Sequence, residues 1–416
     1  MITCNFAPNE QWDDAWVSFK LLFQPWRWKN GEELEIVKKQ ILRQFRISNF
    51  EFRIFLFLTG RSALYTILKS LNLPKGSEVI VQAFTCEAVI LPILACGLKP
   101  VYVDIETKSF SINPIDLQKK ITDKARALIL QYSFSITPVY KDEILSLVSK
   151  HKLLLIEDIA HGYSNQEISN FKFQISNSIF LMSFGRSKAI SSVFGGAIAT
   201  NNLAVIKQLS NSQASLSMPS WLFIFRLLLY KSVSMLIKST YDLIIGKIIH
   251  KIINTFHLII PEITNNEKGG EFDQTLNKAY PNALAILLLH QLNKYERMQK
   301  NRAQITAFYN KNYKLQITNN KSISNFEFRI SNYPLLRYPL LVTNRDLILQ
   351  KAAKNNIFLG KWYDQVVAPK SLNLKKVGYT KGSCLVAEKI CQQIINLPTN
   401  INRQEAEKVI NILNDV

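Results

Sequence analysis

From about residue 55 the chain alternates short apolar runs with amphipathic ones. FLFLTG reads as a buried strand, and SALYTILKSLNL as the helix after it, ended by Pro74. EVIVQAF is a second strand, and EAVILPILACG a helix closed by Gly97. KPVYVDI and ARALILQYSF give two more strands, DEILSLVSKH a helix and KLLLIEDIA a fifth strand. After a polar stretch, SIFLMSF and GGAIAT add two short strands. Apolar strands alternating with helices predict a largely parallel sheet covered on both faces, an α/β fold.

The flanking regions read differently. Residues 1–40 form an irregular arm leading into a helix, with Leu34, Val37, Ile41 and Leu42 at helical spacing. The most apolar tract runs from Trp221 to Ile260. Arg226, Lys231, Lys238, Asp242, Lys247 and Lys251 interrupt it too often for a bilayer span of ~20 clean apolar residues. Two readings remain: helices packed on the body or covering a dimer interface, and an element lying on a membrane surface. A polar break, TNNEKGGEFDQ, precedes one long helix expected from about Asn282 to Tyr309. From Tyr333 onward the mixture of strand and helix patterns suits a smaller α+β domain. The division expected is an arm and helix over 1–54, a large domain over 55–265, and the long helix with a small C-terminal domain over 266–416.

Composition narrows the partners. The 51 Lys+Arg against 31 Asp+Glu give a formal charge of +20, which favours nucleic acid, an acidic membrane surface or a phosphorylated small molecule. No zinc motif, RNA-binding signature or DNA-reading helix is visible, so nucleic acid is not expected. Neither G-x-G-x-x-G nor a Walker pattern occurs. The 5 cysteines are odd in number and form no C-x-x-C pair, so neither a disulfide framework nor a structural metal site is expected. That usage suits a reducing cytosol, and no basic stretch followed by an apolar one opens the chain. Three related segments, at 47–54, 168–176 and 323–331 (ISNFEFRI and variants), have no solenoid period and read as surface insertions.

The chemistry concentrates in IEDIAHG and SFGRSK. Asp158 stands at the C-terminal end of an apolar strand, where open α/β sheets place their ligands. Alone it would be a helix cap, and Lys188 a solvated lysine. Ser183, five residues before the lysine, and Gly195-Gly196 beyond it raise both above that reading. Ser62 opens a helix whose free amides would face an anion.

GRSAL (60–64), Phe84-Thr85, VYVDIE (101–106), IEDIAHG (156–162) and SFGRSK…FGGAI (183–198) occur in the order of the DegT/DnrJ/EryC1/StrS aminotransferases, which the chain resembles over nearly its whole length. The C-terminal LGKWYDQVVAP and GYTKGSCLVAEKICQQIINLPT are also similar to that family. The resemblance implies an aspartate-aminotransferase-like, fold-type-I architecture: a mostly parallel seven-stranded sheet in a large domain, plus a small C-terminal domain. It implies pyridoxal 5'-phosphate (PLP) as cofactor, with Lys188 as Schiff-base lysine and proton shuttle and Asp158 as partner of the pyridine nitrogen. His161 matches a position beside the cofactor ring. Arg61, Ser62 and Ser183 match the phosphate-binding positions, Arg61 either pairing with the phosphate or pointing to solvent. Where many relatives stack an aromatic residue on the ring, this chain has Cys86, with Phe84 two residues earlier. Either Phe84 supplies the face or the ring packs on smaller groups.

The activity implied is transfer of an amino group, with glutamate as donor, to a nucleotide-linked keto sugar for surface polysaccharide or glycoconjugate synthesis. A homodimer with shared sites is implied too. The competing readings are a sugar dehydratase-like relative, against which Lys188 argues, and a non-catalytic basic membrane-surface or regulatory protein. The expected location is cytoplasmic, with peripheral membrane contact through 221–260 left open.

Overall fold

A computed structural model describes residues 1–44, 52–162, 178–256, 258–317 and 333–414. Its strands are β1 (Ile2–Thr3), β2 (Arg53–Phe57), β3 (Glu78–Gln82), β4 (Lys99–Val103), β5 (Ala125–Gln131), β6 (Leu154–Asp158), β7 (Ile179–Ser183), β8 (Gly196–Thr200), β9 (Arg337–Leu341), β10 (Ile357–Phe358) and β11 (Ile394–Pro398). Seven of them make one sheet in the order β2-β8-β7-β6-β5-β3-β4. β8 alone runs against its neighbours, pairing antiparallel with both β2 and β7, while the other contacts are parallel. This is the mostly parallel seven-stranded α/β sheet that the apolar runs and the family resemblance led us to expect.

Parallel strands must be covered on both faces, and two apolar layers do this. One holds Ile80, Leu128 and Phe180 together with Val37 and Ile41 of the helix Glu33–Gln44, and Leu284 and Leu288 of the helix Asn282–Asn293. The other packs Ile67 and Leu68 of the helix Gly60–Ser70, and Ile90 and Ile93 of Glu87–Ala95, on Val79, Ala127 and Ile129. A third cluster belongs to the C-terminal region, around Tyr309, Leu340, Ile395 and Val409, and takes in Ile2. Ile2 joins it because β1 pairs in parallel with β10.

One expectation changes. The long helix from Asn282 is two helices, Asn282–Asn293 and Tyr295–Ile317, with Lys294 capping the first. The first helix is buried against the sheet, and the Lys294 ammonium turns to Asp13 and Asp14 at 2.9 and 2.6 Å. Of the ISNFEFRI-like segments, 168–176, 323–331 and residues 47–51 lie outside the described residues; Arg53 and Ile54 open β2.

The apolar tract is also two helices, Trp221–Thr240 and Ile245–Thr255, and among the described residues no helix is long and apolar enough to cross a membrane. Trp221–Thr240 lies along the helix Trp12–Leu22, where Ser18 Oγ donates to the Leu228 carbonyl at 2.7 Å and Ser232 Oγ to that of Ala15 at 3.0 Å. Between the arm and this helix, Lys231 and Glu10 form a wholly buried ion pair at 3.0 Å.

Candidate active site

The parallel register of β5 and β6 sets Gln131 beside Asp158 at the C-terminal ends of both strands. The chain leaves the sheet there, so side chains at these ends face the space above it. Asp158 Oδ2 accepts from Gln131 Nε2 at 3.0 Å, and Oδ1 accepts from the Ala160 amide at 3.0 Å. Burial pushes its carboxyl pKa up, against the opposing pull of the Ala160 amide, the Lys188 ammonium and Gln131. Among the described residues Asp158 has no ion-pair partner. Gln131 Oε1 is buried and accepts no hydrogen bond there.

Lys188 follows β7. Its amide donates to the Gly185 carbonyl at 3.1 Å, and its own carbonyl accepts from Asn9 Nδ2. Asn9 is held in turn by Arg302, so both the arm and the helix Tyr295–Ile317 fix the lysine's backbone. Lys188 and Asp158 line one cavity of about 300 Å³.

His161 stands at the same end of the sheet. Its Nδ1 accepts from the Phe134 amide at 3.4 Å, so the ring proton sits on Nε2, which faces the Tyr363 hydroxyl at 3.2 Å. Burial, then the Lys188 and Arg337 cations, hold the imidazole well below its ordinary pKa, and it is neutral. Trp362 stacks on the imidazole at 5.2 Å, lies 5.3 Å from Lys188 Nζ, and carries the Arg337 guanidinium 3.3 Å from its own ring centroid.

Across the cavity lies the start of the helix Gly60–Ser70. Thr59 caps it, Oγ1 accepting from the Ser62 amide at 3.0 Å. Gly60 abuts Ser183, which lines the cavity. A Cβ on Gly196 would lie 2.5 Å from the Gly60 nitrogen, so only glycine lets β8 pass beneath this turn.

The predicted residues divide. Lys188, Asp158, His161, Ser183, Arg61 and Cys86 all line the cavity. Ser62 does not: it is wholly buried and its hydroxyl donates to the Leu276 carbonyl at 2.7 Å. Nor does Phe84, whose ring is buried 5.7 Å from Phe110 and 5.1 Å from Tyr363. Cys86 caps the helix Glu87–Ala95 at the cavity wall, its thiol pushed up to about 12 by burial and by Glu87. The Arg61 guanidinium is already engaged, paired with buried Glu267 and donating to the Glu262 carbonyl at 2.6 Å. Burial lifts the Glu87 carboxyl to about 7; Arg61 opposes this and Glu267 adds to it.

Sequence reasoning missed Gln131, Glu87, Trp362, Tyr363 and Asn9. Gln131 had a signal, a polar residue closing an apolar strand next to the one that ends in Asp158. Glu87 follows Cys86, and Trp362 and Tyr363 lie in LGKWYDQVVAP, but nothing local gives their partners; Asn9 comes from the distant arm. Asp13, Asp14 and His290, the one cluster with metal-ligating spacing among the described residues, already holds Lys294 between its carboxylates.

The model of the DegT/DnrJ/EryC1/StrS aminotransferase family matches residues 57–216 and 272–414, most of the chain. The chain belongs to that family. An uncharacterized protein of Methanocaldococcus jannaschii is 25% identical over 374 residues, covering 85% of this chain and 82% of its own length. GDP-perosamine synthase of Vibrio cholerae is 29% identical over 147 residues, which is 35% of this chain and 40% of that enzyme. The solved structure of NtdA from Bacillus subtilis with bound cofactor PMP superposes with a TM-score of 0.71 at 18% identity, covering 97% of this chain and 81% of that one.

The family's enzymes are PLP-dependent, and the residues here fit that cofactor. Asp158 is a buried carboxylate in no ion pair among the described residues, and burial raises its pKa against the pull of Lys188. A cationic ring nitrogen would restore its charge. Gln131 Oε1 is an acceptor awaiting a donor. The free amides at Gly60 and the Ser183 hydroxyl would hold a phosphate. The departure from the sequence expectation is at the phosphate end, where the Ser62 hydroxyl and the Arg61 guanidinium are spent on protein groups.

Proposed function

We propose that this chain is a PLP-dependent aminotransferase that moves an amino group from glutamate to a nucleotide-linked keto sugar. Lys188 would hold the cofactor, and its freed Nζ would move the proton between substrate and cofactor carbons. Asp158 would face the ring nitrogen, with Gln131 fixing its orientation. Neutral His161, locked by the Phe134 amide and Tyr363, would pack beside the ring. PLP itself supplies the electron sink that makes a proton next to nitrogen removable. Gly60, Arg61 and Ser183 would cradle the phosphate, the first two through their backbone amides. The wall beside the ring would be Cys86, with Trp362 opposite the lysine.

The observation that carries this reading is the convergence of Lys188 and Asp158, from the ends of neighbouring strands, on one cavity of a chain in this family. The perosamine synthase similarity and the excess of cations support a nucleotide sugar as acceptor. We read the enzyme as a cytoplasmic homodimer, with a large domain over 55–265 and a small one over 266–416, contributing to surface glycan or glycoconjugate synthesis.

The test is direct. Borohydride reduction in the presence of PLP should leave a pyridoxyl group on the peptide containing Lys188, and Lys188→Ala should abolish it. An unchanged adduct in Lys188→Ala sinks the assignment. A panel of nucleotide-linked keto sugars with glutamate as donor then identifies the acceptor.

A further inference from the structure

We propose that the helix Ile245–Thr255 and the turns beside it form a docking surface for an anionic lipid bilayer. Ile245, Ile248 and Ile252 recur at three- and four-residue spacing and form one outward stripe, 52%, 55% and 46% exposed. Leu243, Phe256 and Leu258 extend it at 67%, 69% and 46%. The helix cannot roll to hide this stripe. Its other face is pressed so closely on the preceding helix that a Cβ at Gly246 would sit 2.3 Å from the Ile237 carbonyl oxygen, and Ile253 is buried there. Contiguous exposed apolar surface of this kind marks a site of association.

Charge decides what associates. Lys247 and Lys251 stand one helical turn apart along the flank of the stripe, exposed, and among the described residues neither is in an ion pair. Of the tract's five cations Lys231 is buried against Glu10, whereas Lys247 and Lys251 are exposed, and Asp242 is the tract's one carboxylate. A second copy docking through this patch about a twofold axis would bring the same lysines toward each other with almost no carboxylate to meet them. Anionic headgroups complement the lysines, and the apolar stripe can enter the boundary between headgroups and acyl chains. The tract also lies between the two stretches that match the family model, 57–216 and 272–414. It would hold the enzyme at a membrane without crossing it.

Co-sedimentation of the full chain with vesicles tests this. The protein should bind phosphatidylcholine–phosphatidylglycerol vesicles at low salt, and bind pure phosphatidylcholine at least about tenfold more weakly. Each lysine near an anionic surface contributes roughly fivefold, so the Lys247→Glu/Lys251→Glu variant should lose about 25-fold or more. Ile248→Glu/Ile252→Glu, at exposed positions that keep the fold, should abolish binding while gel-filtration size and circular dichroism stay unchanged. Wild-type protein that stays unbound to mixed vesicles at low salt overturns the proposal. So does undiminished binding by the isoleucine variant. A shift of that variant from a larger to a smaller oligomer would make the patch an interface between copies instead.

Discussion

Gln131 Nε2 donates to Asp158 Oδ2 at 3.0 Å across two parallel strand ends, so the acid reaches the cavity with one oxygen already oriented. A hydrogen bond to a charged group contributes about 1.5–3 kcal/mol. Gln131→Leu should therefore weaken PLP binding roughly tenfold to a hundredfold, read by fluorescence titration, while the reducible adduct still forms at saturating cofactor. Asp158→Asn should lower transamination by at least about a hundredfold. Unchanged PLP affinity in Gln131→Leu would show that the amide does not orient the acid.

Glu87 predicts a pH dependence. The folded carboxyl keeps its proton up to about 7, whereas an unperturbed one loses it near 4.5. Between those values the folded state binds more protons, so stability falls as pH rises through this window. Glu87→Gln should flatten that slope and be more stable than wild type at pH above the window by on the order of 1–3 kcal/mol. Urea unfolding of the cofactor-free protein at a series of pH values measures it.

Arg61 and Glu267 should behave as a unit. Removing one member of a buried ion pair leaves the other uncompensated and costs about 3–5 kcal/mol. Arg61→Thr and Glu267→Gln should each destabilise on that scale. The double variant should recover much of the loss, and additive losses in the cycle would mean the two do not interact.

His161 should be silent to titration. Its pKa is held well below 6.5, so its ring resonances should not move in an NMR titration across neutral pH. The unfolded chain takes up a proton on this residue that the folded chain refuses. Stability from this group is therefore present above pH about 6.5 and lost as pH falls below it.

Much of this was readable in the chain. The sheet strands announce themselves because they are largely buried on both faces and therefore mostly apolar. Lys188, Asp158, His161 and Ser183 lie in short motifs at strand ends, where the backbone alone nearly fixes their direction. Phosphate-end assignments were less secure, because what Ser62 and Arg61 do depends on Leu276 and Glu267, some two hundred residues away. Trp362 and Tyr363 were hidden for the same reason: the sequence near them says nothing about an imidazole at position 161. The break at Lys294 was hidden too, since the helical pattern runs on and only Asp13 and Asp14 of the arm account for where that ammonium goes.

The parallel pairing of β1 with β10 has a consequence for how the molecule comes into being. Ile2 and Thr3 are synthesised about 355 residues ahead of their partners Ile357 and Phe358. The β1–β10 pairing therefore cannot form before residue 358 has emerged, and the arm must stay available until then. A fragment starting after the arm would leave the β10 edge bare and would lose Asn9 from the Lys188 carbonyl. Splitting the gene near residue 265 should thus yield two pieces that fold poorly apart, because Ile2 and Asn9 would lie in one and their partners Ile357 and Arg302 in the other.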